Sequence, residues 1–452
     1  MWGSATSSHQ IEGGFDEGGK GPNIWDVFTK IPGRTYQGQN ADVSCDHYHK
    51  WKEDVALMAD LGLKAYRFSI SWARIQPDGK GAPNPEGIRF YSDLIDELLA
   101  NDITPWITLY HWDLPLALEL EDDGWLGEKM PDYFAHYAEI CFKHFGDRVK
   151  HWITLNEPWV VAMLGYGQGV FAPGKTSNHK PYLAAHQLIL AHAKSVRLYR
   201  EKYQEEQGGI IGISNNCDWR EPLTESEKDK KAAVRALEFY VGWFADPIFL
   251  GDYPQSMKDG VGRRMPSFTR EEKALIKGSS DFFGLNHYTT MYASHLNPGE
   301  VDASEVYGNG GISEDQNVKL GVDALWKRTT MGWAVVPWGC RKLLEWLDER
   351  YDHPDIYITE NGCSHDDKVV RGKVKDEYRI EFFEEYLKEA HQAIQNGVKL
   401  KGYFVWSFMD NFEWASGYSK RFGIHYVDFK TKKRIPKSSA AWYKQVIADN
   451  GL

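Results

Sequence analysis

Two glutamates sit directly behind short β-rich runs, Glu157 in Thr-Leu-Asn-Glu-Pro and Glu360 in Ile-Thr-Glu-Asn-Gly. If those runs are strands of one barrel, both side chains reach the same rim. A carboxyl pair placed there can attack an acetal bond such as a glycosidic linkage, one member giving a proton while the other acts as nucleophile or base. That chemistry requires one carboxyl to start protonated and its partner ionised, so neighbouring groups must separate their proton affinities.

The elements that would hold the pair are legible in the apolar period, which alternates between strand-like and helix-like stretches. Strand candidates are residues 2–5, 65–69, 104–109, 152–155, 211–215, 282–286, 356–359 and 400–406. The clearest helical stretches between and after them are 87–101, 131–145, 181–204, 231–243, 337–351, 377–396 and 437–448. Eight strand and helix alternations without a Pro/Gly/Ser linker predict one α/β domain over residues 1–452, a (β/α)8 TIM barrel with long βα loops. A doubly wound sheet is the competing arrangement, but no Gly-x-Gly-x-x-Gly turn opens a helix behind a strand here. Two stretches break the rhythm: 218–229 is charged, and 297–328 is long and rich in Gly and Asp. The longer one either shapes access to the rim or is a surface insertion.

A closed barrel brings every strand end to one rim. Gln10, Arg67, His111, Asn156, Glu157, Asn286, Tyr288, Glu360, Trp406 and Glu413 would therefore face a common pocket. Singly, each has a structural reading: Arg67 as an ion-pair member, His111 as a satisfied interior histidine, Tyr288 as a half-buried ring with its hydroxyl paired. Their convergence favours a site.

Composition excludes several other classes. Hydrophobic residues make up 42% and charged residues 26%, as in an ordinary globular protein with ample core. The net charge of −11 is spread without a long like-charge block, so nucleic acid is not an expected partner. Cys45, Cys141, Cys217, Cys340 and Cys363 are scattered without Cys-x-x-Cys spacing, which argues against a disulfide framework or a metal site. The first ten residues lack a basic start and an apolar core, and no run of about 18 apolar residues occurs, so a cytoplasmic address without membrane attachment is expected. Met1 abuts Trp2-Gly3-Ser4-Ala5, already a strand, which leaves room for a removed upstream segment.

With these residues in view, the chain resembles glycoside hydrolase family 1, and within it the β-glucosidases, over essentially its entire length. The resemblance is carried by TLNEP at 154–158 and ITENG at 358–362. Accompanying them are SSHQIEGG (7–14), YRFSISW (66–72), TLYHWDLP (108–115), FFGLNHYT (282–289) and VWSFMDNFEWASGYSKRFG (405–423). It implies retaining hydrolysis of terminal β-D-glucosyl residues, with Glu157 as acid/base, Glu360 as nucleophile, Arg67 keeping Glu360 anionic, and no cofactor or metal. It also implies that Asn156 meets the sugar 2-hydroxyl, that Tyr288 donates to Glu360, and that Asn286 lines the same pocket. Gln10 and Glu413 would clamp the 3- and 4-hydroxyls, with His111 and Trp406 completing the 3-hydroxyl contacts, Trp414 nearby, and a cis Trp406–Ser407 peptide aiming the Trp406 ring. Trp159 and Trp333 would line the aglycone side. An anionic Glu413 would repel a 6-phosphate, which argues against a 6-phospho-β-glucosidase, and an acidic residue at 157 argues against a thioglucosidase. The expected substrates are small β-glucosides or short cello-oligosaccharides such as cellobiose. The remaining alternative is an inactive sugar-binding barrel.

Overall fold

The structure, a computed structural model, describes residues 1–297, 300 and 312–452. Eight parallel strands close into a barrel: β1 (Trp2–Ala5), β2 (Ala65–Ser69), β3 (Thr104–Tyr110), β4 (His151–Asn156), β5 (Ile210–Asn216), β6 (Phe283–Asn286), β7 (Ile356–Asn361) and β8 (Leu400–Trp406). Each pairs with its neighbours in sequence, and β1 closes the ring against β8 with Ala5 opposite Trp406. Helices follow the strands in turn: α1 (His47–Leu61), α2 (Pro85–Ala100), α3 (Met130–Phe145), α4 (Lys180–Lys202), α5 (Glu227–Leu237), α6 (Pro337–Arg350), α7 (Glu377–Gln395) and α8 (Ser438–Asp449). The (β/α)8 expectation holds, and the doubly wound alternative does not.

Two apolar layers hold this arrangement. Inside the barrel Trp106 stacks on His151 at 4.3 Å and meets Phe404 edge-on at 5.2 Å, with Ile153 and Phe282 in the same cluster, so the lumen is packed below the rim. Between strands and helices lies the larger cluster, built from the inward stripes of the helices. Local signals set the helix starts: Asn84 caps α2 with Pro85 at its first turn, and Ser226 caps α5 through the Asp229 amide.

Three expectations change. Helix α1 escapes the periodic reading because two of its buried positions are His47 and Asp54, which pair with each other at 2.8 Å and blur the apolar stripe. Helix α5 begins at Glu227, inside the charged stretch, and ends at Leu237; a π-turn at Glu238–Gly242 then leads into a further helix, Trp243–Phe249. That stretch also supplies a strand, Trp219–Pro222, which joins Thr290–His295 and Val318–Gly321 in a small sheet outside the barrel. The Gly- and Asp-rich stretch therefore has its own structure over Ile312–Gln316 and Val318–Gly321, while its residues 298–299 and 301–311 lie outside the described residues. No helix of the described residues is long and apolar enough to cross a membrane.

Candidate active site

Both glutamates follow an irregularity in the sheet. On β4, Ile153 pairs with Gly212 but Asn156 with Ser214, so the strand carries one residue more than its partner just before Glu157. On β7, Ile358 pairs with Leu285 but Glu360 with Asn286, again one residue extra. Such bulges re-aim side chains at a barrel rim. Glu157 itself adopts a left-handed backbone with φ +47°, uncommon for a residue with a side chain and found where surroundings enforce it. Gly362 completes the turn after Glu360: a Cβ there would lie 1.8 Å from the Trp406 carbonyl oxygen, so only glycine lets β7 and β8 approach this closely.

A polar network joins the two carboxyls and treats them unequally. Arg67, fully buried on β2, donates from Nη1 to Glu360 Oε1 at 2.6 Å and from Nη2 to Asn156 Oδ1 at 2.6 Å. The Tyr288 hydroxyl donates to Glu360 Oε2 at 2.6 Å. Thr359 Oγ1 donates to Asn286 Oδ1 at 2.7 Å, which turns the amide nitrogen of Asn286 toward Glu157 Oε1 at 2.6 Å and Asn156 Oδ1 at 3.0 Å. Glu360 thus receives a cation and a phenol, whereas Glu157 receives one neutral amide.

Proton affinities follow from this asymmetry. Burial pushes the Glu157 carboxyl well above its ordinary range, and the charge of Glu360 adds to the push. Burial also raises Glu360, but there the Arg67 guanidinium and the Tyr288 hydrogen bond oppose it. The proton of the pair therefore rests on Glu157 and the negative charge on Glu360.

His111, directly after β3, is held well below its ordinary pKa by burial and by Arg67, and is neutral. Asn156 spends its amide oxygen on Arg67 and Asn286, so its nitrogen donates to His111 Nε2 at 3.2 Å. The imidazole proton is then on Nδ1, a buried atom without a protein partner among the described residues. His111 lies in an aromatic stack, 5.8 Å from Trp406 and 5.9 Å from Trp414, and Trp414 lies 5.7 Å from His9. The Trp406–Ser407 peptide is cis, as the resemblance implied.

Gln10 lies in the turn after β1, its Nε2 donating to Asn411 Oδ1 at 3.0 Å and Phe412 O at 2.9 Å while its Oε1 accepts from Ser7. The loop after β8 is tied to it, and that loop carries Glu413. Here the structure corrects an expectation: the Glu413 carboxyl, anticipated as an anion, is pushed up to about 8 by burial and then by the charge of Glu360. Among the described residues its Oε2 is buried without a protein partner, and no cation offsets the desolvation.

Of the outer aromatics, Trp333 is half-buried, 5.2 Å from Tyr288, whereas Trp159 is buried edge-on against Tyr240 at 4.7 Å. Trp333 thus borders Tyr288, the hydrogen-bond partner of Glu360, and Trp159 packs into the wall. Three positioning residues went unnoticed in the sequence: Thr359, Asn411 and Trp112, whose indole donates to the Asn156 carbonyl at 2.9 Å. Each lies inside a motif quoted above, and the available signal was a polar or indole group beside a strand end.

The chain's match to known proteins agrees with this geometry. The model of glycosyl hydrolase family 1 matches residues 1–452. The chain belongs to glycoside hydrolase family 1. Among its family 1 relatives, β-glucosidase 42 of Arabidopsis thaliana is 50% identical over 455 residues, covering 99% of this chain and 92% of that protein. The family 1 β-glucosidase of Thermotoga maritima superposes with a TM-score of 0.93 at 44% identity, covering 100% of this chain and 97% of that one. A mutant rice β-glucosidase, solved in a covalent complex with Glc, gives a TM-score of 0.93 at 44% identity over 98% of this chain and 97% of its own.

Proposed function

We propose that this family 1 enzyme is a retaining β-glucosidase that cleaves terminal β-D-glucosyl residues through a glycosyl ester on Glu360, with residues 1–452 working as one catalytic domain. The observation that carries the reading is the unequal environment of the two carboxyls: Arg67 and Tyr288 on Glu360, a neutral amide on Glu157. Glu360 attacks the anomeric carbon as Glu157 protonates the leaving oxygen. Esterification removes the charge of Glu360, which lowers the proton affinity of Glu157, now a carboxylate able to accept a proton from water. Water then displaces Glu360, and the sugar leaves with its β configuration.

Glucose recognition falls to the groups around the pair. Asn156 meets the 2-hydroxyl, a contact that strengthens as the ring approaches the oxocarbenium-like state. His111 Nδ1 and Glu413 Oε2, both buried without a partner among the described residues, take sugar hydroxyls together with Gln10, and Trp406 and Trp414 border the ring. Trp333 contacts the aglycone. Small aryl β-glucosides and short cello-oligosaccharides, cellobiose included, are the substrates, and no metal or cofactor enters the steps. The five cysteines are free and buried, which fits a cytoplasmic location.

An inactive sugar-binding barrel would need a missing catalytic group, whereas both carboxyls and their partners are in place. Hydrolysis of nitrophenyl β-glucoside followed by NMR tests the proposal. The β-anomer of glucose should appear first, and the α-anomer only through mutarotation.

A further inference from the structure

A groove of about 760 Å³ opens at the outer mouth, lined in part by Arg34, Tyr36, Val170, Ser416, Ser419 and Lys420. Its position ties it to the site: Ser416 follows Glu413 and Trp414 in one loop. Val170 precedes Phe171, whose ring lies 5.7 Å from Trp112 and 6.5 Å from Trp414. Lys420 Nζ donates to the Thr330 carbonyl at 2.5 Å, three residues before Trp333.

Its charge is unlike that of the rest of the molecule. The chain carries −11 overall, yet among the described residues no Asp or Glu lines this groove. Arg34 donates to the Gly169 carbonyl and lies over the Phe28 ring at 5.2 Å, and neither it nor Lys420 forms an ion pair among the described residues. Other cations near loops and helix ends are drawn into ion pairs, as Lys175 is with Glu119 and Asp123, Arg264 with Asp315 and Arg350 with Asp246. Tyr36 and Val170, 47% and 48% exposed, give the groove apolar surface between the charges.

We propose that this groove is a subsite for a carboxylate carried by the glucoside, resting on the β-glucosidase reading above. The glucose ring occupies the buried pocket, and a flexible acidic substituent reaches outward past Trp414 or Trp333. There Arg34 and Lys420 attract it while Tyr36 and Val170 cover its carbon chain. A phosphate directly on the sugar is a poorer fit, because it would fall beside Glu413 in the buried pocket before reaching either cation.

The test compares four substrates. Two are nitrophenyl β-glucosides bearing a short-chain carboxylate on the aglycone, or its methyl ester; two are 6-O-malonyl glucosides, as free acid or methyl ester. At low salt the acid should exceed its ester in kcat/KM by about 3- to 10-fold in at least one pair, the size expected of one or two solvent-exposed ion pairs. The pair that shows the preference identifies which end of the substrate enters the groove. High salt should erase the preference. Arg34→Gln with Lys420→Gln should abolish it without changing kcat/KM for unsubstituted nitrophenyl β-glucoside. Equal rates for acid and ester in both pairs of the wild type would overturn the proposal, as would a preference that survives the double variant. If unsubstituted glucoside is not hydrolysed, the β-glucosidase reading fails instead, and the same acid-against-ester comparison by calorimetric binding decides the groove.

Discussion

Asn286 donates both amide hydrogens inward, to Glu157 Oε1 at 2.6 Å and to Asn156 Oδ1 at 3.0 Å, because Thr359 holds its oxygen. The residue proposed as proton donor and the one proposed to meet the sugar 2-hydroxyl are therefore set by one side chain. Asn286→Ala should lower kcat/KM on nitrophenyl β-glucoside by about 10- to 1000-fold, the cost of removing a preorganised donor and freeing its partners. Thr359→Val, which only releases the Asn286 amide to turn, should lower it less. Steady-state kinetics of the two variants check the order.

Arg67 and Glu360 form a pair with almost no exposure, so removing one partner leaves a buried uncompensated charge. Arg67→Met should lose about 3–5 kcal/mol of stability by denaturant unfolding. Glu360 would then bind its proton more tightly. Since attack needs the anion, the acid limb of the kcat/KM profile should move to higher pH in Arg67→Met.

The roles of the two glutamates separate by leaving group. Glu360→Ala should abolish turnover, and azide or formate should restore part of it with inverted product, since the small anion enters the vacated face. Glu157→Ala should cleave substrates with good leaving groups in the first step and then accumulate glycosyl-enzyme for want of a base. Equal losses on every substrate would contradict this division.

Much of this was legible beforehand because a barrel makes function a matter of strand ends. All eight strands were locatable by period, and the rim residues followed from them. Arg67, Asn156, Asn286 and Tyr288 all converge as expected. What could not be read were the one-residue bulges before Glu157 and Glu360, which depend on inter-strand register. The neutralisation of Glu413 was equally hidden, since it depends on desolvation by groups distant in sequence. Helix α1 was hidden by a His47–Asp54 pair on its buried face.

Glu413 gives a pH prediction whose sign can be fixed. Its carboxyl is pushed up to about 8 in the folded enzyme, against an ordinary value near ~4.3 when unfolded. Between these values the folded state binds more protons, so the contribution is full below the ordinary value and is lost as pH rises toward 8. Glu413→Gln, neutral throughout, should make Tm fall less over that interval. Discrimination against nitrophenyl 6-phospho-β-glucoside should likewise sharpen with rising pH in the wild type. Glu413→Ser should lose about 2–4 kcal/mol of transition-state binding for glucoside and shift relative activity toward the phosphorylated sugar. A Glu413→Ser enzyme unimpaired on glucoside would remove Glu413 from the sugar site.

The central claim is that Glu360 becomes covalently glycosylated. Incubation with a 2-deoxy-2-fluoro β-glucoside carrying a good leaving group slows the second step more than the first and lets the ester accumulate, so peptide mass spectrometry can locate it. The predicted result is a single adduct, one fluoroglucosyl unit on the peptide containing Glu360, with fragmentation assigning it to that side chain and activity returning as the adduct turns over. An adduct on Glu157, or inactivation without any covalent sugar, would contradict the assignment of nucleophile and acid on which the mechanism stands.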